Sequence, residues 1–167
     1  MSDLRKKRTR LAIFNSFQNQ MEQKDFTDIL VTDIVKDAMI HRNTFYQHYD
    51  DKYDLLHDFL ATALTESEVT IDEFKEKPFS SIHKIFKPRL EKVWQKQISN
   101  NEFFSLFPKI FIQSFVEKNE NDYSILWDMG RLVAVLAWTI TSGSDLSAEN
   151  NPKELDNIYK RGIFPKV

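Results

Sequence analysis

The segment TDIVKDAMIHRNTFYQHYDDKYDLL (residues 32–56) decides how the chain folds, because two helical stripes, a break and a capping signal follow one another within it. Val31, Ile34, Val35 and Ala38 recur at i, i+3, i+4 and i+7, the apolar stripe of a short helix. Met39, Ile40 and His41 then leave room only for a tight turn. A third helix runs from about Arg42 to Tyr49. On it Phe45 and Tyr49 share one side at i, i+4, while Asn43 and Gln47, equally spaced, share the opposite side. The rings are core and the amides face out, with Arg42 and Tyr46 on one shoulder and Thr44 on the other. Asp51, followed three residues later by Asp54, has the pattern of an N-cap with an acid at N3, opening a fourth, longer helix over LLHDFLATAL.

Working outward, residues 4–22 place Leu11, Phe14, Phe17 and Met21 on one half of a helical wheel, with Ile13 at its edge. Beyond residue 66, Pro78, Pro88 and Pro108 punctuate the chain, and helical periodicity resumes over roughly 80–98, 101–117, 123–142 and 152–161. SGSDLSAENNP (residues 142–152) is the one long loop. The expected fold class is all-α: an N-terminal three-helix domain with a helix-turn-helix over residues 1–50, then a helical domain over 51–167.

Composition agrees with that fold. Of 167 residues, 41% are apolar and only three are glycine, which favours a folded, loop-poor, helical protein over a disordered one. The absence of cysteine excludes disulfides and thiolate metal sites and fits a cytoplasmic location. MSDLRKKRTR begins like a signal peptide, but Asn15, Gln18, Asn19 and Gln20 interrupt the apolar stretch behind it. The longest apolar run, LVAVLAW (132–138), is far short of the roughly 20 residues that cross a bilayer and reads as a buried helix, with no membrane partner. Net charge is −2, yet five of the nine bases before residue 57 lie within residues 5–10, so the chain carries a basic tip.

The outward side of the third helix is an inventory for reading a groove of DNA. Side-chain amides offer a donor and an acceptor to a base edge, Arg grips guanine bidentately, and Thr and Tyr bond phosphate. A short helix, a tight turn and a second helix with such a face make a helix-turn-helix whose second helix enters the major groove. His41, His48 and His57 lack an acidic partner at ligand spacing, and Asp50, Asp51 and Asp54 read as helix-capping acids; no metal, cofactor or catalytic group is expected.

Residues 32–56 closely resemble the DNA-binding signature of the tetracycline-repressor (TetR/AcrR) family of transcription regulators. Ile34, Ala38, Ile40, Thr44, Phe45, Tyr46, His48, Tyr49, Lys52, Leu55 and Leu56 stand where that pattern places residues of their kind, and Phe26 and the first helix extend the likeness to about residue 5. IHRNTFY followed by DKYDLL is most similar to a subgroup with a short C-terminal domain that includes activators. The resemblance implies that Thr32, Arg42, Asn43 and Gln47 point toward bases and that Thr44, Tyr46, His48 and Lys52 hold phosphates. It departs at Met39, where the family usually has glycine in the turn, at His41, where it has a small polar cap, and at Leu30, where it has a threonine cap, so that Thr27 or Asp28 is expected to cap the second helix.

In the second domain, Phe104, Phe107, Phe111 and Phe115 form a stripe at helical spacing, with Trp94, Trp127 and Trp138 on neighbouring helices. The resemblance implies an effector pocket there, for which Trp94, Phe104, Phe107, Phe111 and Trp127 are the candidates; core packing is the competing reading. The LVAVLAW helix with Gly130, together with the terminal helix, is the candidate dimer interface. The expected function is a sequence-specific transcription regulator without enzymatic activity, a ligand-responsive repressor binding a pseudo-palindromic double-stranded operator as a homodimer. The alternative is a transcriptional co-activator whose helical domain binds a partner protein instead of a small molecule.

Overall fold

A computed structural model of the chain describes residues 3–87, 90–118 and 123–166, apart from the side chains of 115, 117 and 118. Pro88 and the ring of Phe115, both singled out above, lie outside the described residues. The described residues form helices and connecting loops with no strand, so the fold is all-α. The helices are α1 (Asp3–Gln23), α2 (Val31–Asp37), α3 (Arg42–Tyr46), α4 (Lys52–Glu66), α5 (Ile71–Glu76), α6 (Pro78–Phe86), α7 (Glu91–Gln97), α8 (Asn101–Lys118), α9 (Ile125–Ser142) and α10 (Pro152–Arg161), with a single 3-10 turn at Phe26–Asp28. The continuous helix expected over 80–98 is therefore two helices, and α5 is an addition. Pro108 sits inside α8, within the helix expected over 101–117, and has no N–H to donate to the Phe104 carbonyl one turn back.

The chain forms two compact units. One comprises Met1–Thr62 and Leu90–Phe107, the other Ala63–Arg89 and Pro108–Val167. The first contains the whole 1–50 segment and adds most of α4, all of α7 and the start of α8. Its core is aromatic: Phe17 meets Phe59 edge-on at 5.4 Å and Phe26 at 6.4 Å, while Phe14 lies 5.6 Å from Phe59. Around them Ile13, Met21, Ile34, Phe45, Leu55 and Leu56 are buried. On α1 the buried stripe is Ile13, Phe14, Ser16, Phe17 and Met21, whereas Leu11 is 55% exposed. The stripe is turned from the expected one because Ser16 faces inward, where its hydroxyl donates to the Ile34 carbonyl at 2.9 Å and ties α1 to α2.

The second unit packs α10 on α6 and α9. Leu155, Ile158 and Tyr159, at i, i+3 and i+4, are the buried side of α10. Asp156, also buried, accepts from the Phe79 and Ser80 N–H groups at 2.8 and 3.1 Å and so satisfies donors that the first turn of α6 leaves orphaned. Gly143 and Gly162, with φ of 71° and 64°, end α9 and α10 in the left-handed conformation that glycine adopts without a Cβ clash. The LVAVLAW run is not the buried helix expected: within it only Leu132 and Val135 are buried. The unit packs α9 along one side, and an apolar helix packed on one side leaves apolar residues on the other. By length and composition α9 is also long and apolar enough to cross a membrane, with 22% of that window buried.

Candidate nucleic-acid interface

The link from α2 to α3 is a tight C-terminal cap. The Met39 N–H donates to the Lys36 carbonyl at 3.2 Å and the Ile40 N–H to the Val35 carbonyl at 3.0 Å, the paired bonds of a Schellman motif. This motif requires a left-handed residue, and here it is Met39, with φ of 53° and a side chain 93% exposed. A non-glycine residue in that conformation costs about 1–2 kcal/mol. Two further positions flagged in the sequence lack side-chain caps: Leu30 is the N-cap of α2 and His41 that of α3, each in extended backbone and each providing only its carbonyl to the first turn. Neither Thr27 nor Asp28 takes over as the cap of α2.

α3 is shorter than expected, ending at Tyr46. Gln47 nevertheless keeps right-handed helical backbone, with its N–H on the Asn43 carbonyl at 3.2 Å, and the Tyr49 N–H reaches the Phe45 carbonyl at 3.0 Å. The expected division of faces is present: Phe45 and Tyr49 are buried with ring centroids 5.8 Å apart, while Arg42, Asn43, Tyr46 and Gln47 are exposed. Thr32 is exposed on α2, and Thr44, His48 and Lys52 are half-buried. Arg42 lies over the Tyr46 ring, 5.5 Å from its centroid, and donates to its hydroxyl at 3.1 Å, which makes the two shoulder residues one unit.

Lys52 is more engaged than its position in the sequence suggests. Its ammonium donates to the Phe26 and Thr27 carbonyls at 2.9 and 3.0 Å and lies 4.6 Å from the Phe26 ring centroid. Two of its three N–H bonds thus hold the 3-10 turn. The acids around it cap α4: Asp51 accepts from the Tyr53 and Asp54 N–H groups at 2.7 and 2.9 Å. Asp54 reaches back to the Asp50 N–H at 3.1 Å, one residue before the usual capping-box target.

Behind α3 stands a network that its neighbours in sequence do not announce. Arg10 donates to both carboxylate oxygens of Asp58 at 2.9 and 2.8 Å and to the Thr62 hydroxyl at 2.8 Å, and the Tyr49 hydroxyl donates to Asp58 at 2.7 Å. Burial pushes the Asp58 carboxyl up, but the hydrogen bonds from Arg10 and Tyr49 outweigh it and hold the group below the ordinary carboxylate value. The His48 imidazole is held below its ordinary value by burial, reinforced by the like charges of Lys6 and Arg10. The basic tip of α1 therefore lies near the end of α3.

A second network fixes the approach to α2. Gln97, in α7 and 0% exposed, accepts from the Phe26 N–H at 2.9 Å and donates to the Met21 and Lys24 carbonyls at 2.6 and 2.7 Å. Beside it Lys96 pairs with Asp25 at 2.7 Å and the Asn100 amide donates to the Thr27 hydroxyl at 3.3 Å. A residue that follows α6 in sequence thus closes the corner between α1 and α2.

The aromatic residues expected to line an effector pocket separate into two groups. Trp94 and Phe107 meet edge-on at 5.3 Å, with half-buried Phe104 in the same unit. In the other unit Phe111 is buried against Phe74 at 5.9 Å, and Trp127 is 82% exposed. Two surface depressions of about 400 and 430 Å³, one bordered by Lys24, Asp33 and Met39 and the other by Lys77, Ser80 and Lys160, include none of the five. Among the described residues no three His, Asp or Glu side chains converge as metal ligands. Compared with known proteins, the chain matches no protein-family model and no curated protein.

Proposed function

We propose that this chain is a sequence-specific DNA-binding transcription regulator of the TetR/AcrR type, acting as a homodimer on a pseudo-palindromic operator. The observation that carries the reading is the outward set Arg42, Asn43, Tyr46 and Gln47, uncovered on a short helix anchored from behind by Phe45 and Tyr49. In it α3 is the reading helix of a helix-turn-helix. Asn43 and Gln47 present amides to base edges, Arg42 suits guanine, and Thr32 on α2 approaches the same groove. Tyr46, Thr44, His48 and the remaining N–H of Lys52 serve phosphates, supported by the basic residues of α1.

Control is a population shift. An effector bound by the helical body favours the form in which two reading heads no longer match the spacing of about 34–36 Å between successive major grooves. Gln97 offers one route for such coupling, since any displacement of α7 acts on the carbonyls that end α1 and on the N–H that begins the approach to α2. The test is in vitro selection of bound sequences from random duplex DNA by the full chain. A palindromic motif with half-sites about one helical turn apart is the expected result; an unenriched pool or a motif without symmetry refutes the reading.

A further inference from the structure

The depression of about 430 Å³ on the second unit lies between α6 and α10 and gathers three lysines. Lys153, Asn157 and Lys160 follow one another at i, i+4 and i+7 on the exposed side of α10, and Lys77 and Ser80 border the groove from the start of α6. Two carboxylates stand close by. Asp156 is buried and turned inward, onto the Phe79 and Ser80 N–H groups and the Ser80 hydroxyl. Glu76 accepts from Lys160 at 2.8 Å and lies 3.9 Å from Lys77. Among the described residues, the Lys153 ammonium and the Asn157 amide have no hydrogen bond or ion pair. Like charges gathered in this way repel one another, and local structure adds to the cost. Lys77 is the N-cap of α6 and Lys153 lies in the first turn of α10, positions at which the helix dipole disfavours a cation. Neither capping nor close ion pairing within the chain accounts for these two lysines. An anion seated among them would.

We infer that this groove binds a small, doubly phosphorylated molecule. Lysine meets a phosphate as a point charge with three rotatable donors. Lys160 uses one donor on Glu76 and Lys153 uses none, so both have N–H bonds to give. Seven residues separate the two along α10, an axial distance of ~10 Å, which suits two anionic groups held apart better than one held between them. Lys77 adds the third charge from across the groove. In the middle, the Ser80 oxygen, whose proton goes to Asp156, offers lone pairs, and the Asn157 amide offers a donor and an acceptor. A polar body joining the two phosphates fits that stretch. The volume lies within the range of about 300–1,000 Å³ typical of small-molecule sites. The first N–H groups of α6 take no part, since Asp156 already occupies them. The groove contains none of the aromatic residues considered for an effector pocket, and binding in it does not depend on DNA recognition by α3.

The test is calorimetric titration of the full chain with tetramethylene bisphosphate in low-salt buffer. One saturable site per chain is expected. Lys153→Gln and Lys77→Gln should each weaken it by at least about tenfold, whereas Lys92→Gln, at an exposed lysine of the other unit, should leave it unchanged. Asn157→Asp, which sets a carboxylate between the two lysines of α10, should abolish binding. All four positions are exposed, so each variant should keep the helical circular dichroism of the parent chain. Monobutyl phosphate, with a single anionic group on the same carbon chain, should bind at least about tenfold more weakly than the bisphosphate. Absence of saturable binding in the millimolar range overturns the inference. So does binding that Lys153→Gln leaves intact, which would place the anion elsewhere, or equal affinity for the monophosphate, which would show a single contact in place of a two-ended site. A chain that binds the bisphosphate here yet selects no DNA motif would leave the groove standing and refute the regulator reading.

Discussion

Replacing Gln97 by methionine, which keeps the length and nearly the volume of the side chain, removes one acceptor and two donors from the corner between α1 and α2. The Phe26 N–H and the Met21 carbonyl are enclosed where they meet Gln97, and Met21 is among the last residues of α1, so no intrahelical donor reaches it. The Lys24 carbonyl is only partly buried and water replaces its bond. Each enclosed backbone group left unpaired costs about 1–3 kcal/mol, and at ~1.5 kcal/mol apiece the two together cost about 3 kcal/mol. For a chain of this length that is a fall in Tm of about 6–12 °C. Chemical denaturation of the full chain followed by circular dichroism, with the midpoint read at unchanged slope, is the assay. Gln97→Glu should be at least as damaging at neutral pH, since its carboxylate faces two carbonyl oxygens, and should recover in acid, where the protonated form donates to one of them. A Gln97→Met variant within about 0.5 kcal/mol of the parent, the range of ordinary surface changes, refutes the assignment of this clamp.

Met39→Gly relieves the left-handed strain while adding freedom to the unfolded chain, and because the Met39 side chain touches little, a net gain of about 0.5–1 kcal/mol is expected in thermal unfolding; a loss would show that the exposed side chain contributes packing. Asp58, held below its unfolded pKa, contributes stability that is fully present above that unfolded value, near 4, and is lost as pH falls through the folded pKa. Asp58→Asn should therefore cost about 1–2 kcal/mol at pH 7, allowing for partial exposure, and the gap to the parent should close in acid; a gap independent of pH refutes the linkage. On DNA, Gln47→Ala should relax preference at one base pair of the selected motif, while Tyr46→Ala should weaken binding to all sequences alike. An unchanged motif for Gln47→Ala removes its base-reading role.

Much of the fold is legible in sequence because its determinants are local. A stripe at 3.6-residue spacing, an acid at an N-cap and a run of Ser, Asn and Gly act over one or two turns, and so α2, the α4 cap formed by Asp51, the loop after α9 and the bounds of α10 lie where the pattern puts them. The same local logic separates the rings of Phe45 and Tyr49 from the outward side chains of α3, whereas the left-handed backbone at Met39 is hinted at only by the resemblance, which places glycine in that turn. Resolution fails where the wheel gives two answers. Leu11 and Ser16 compete for the inner face of α1, and only the Ile34 carbonyl waiting for the Ser16 hydroxyl decides between them.

The remaining contacts join residues far apart along the chain. Arg10 meets Asp58, and Gln97 meets Phe26, across separations that no helical period encodes, and both networks are built from polar residues that read as ordinary surface until burial makes their partners obligatory. α9 shows the opposite case: its apolar run reads as core, because hydrophobicity tells how strongly a face avoids water and not which surface will cover it. The packed second unit covers one side of that helix and leaves the other. Propensity, capping and periodicity are properties of neighbours, and they already specify a helical chain with a polar face on its third helix. Which helices clamp that face, and which apolar surface remains for a partner, were decided by how those helices pack, because burial is a property of the assembled unit.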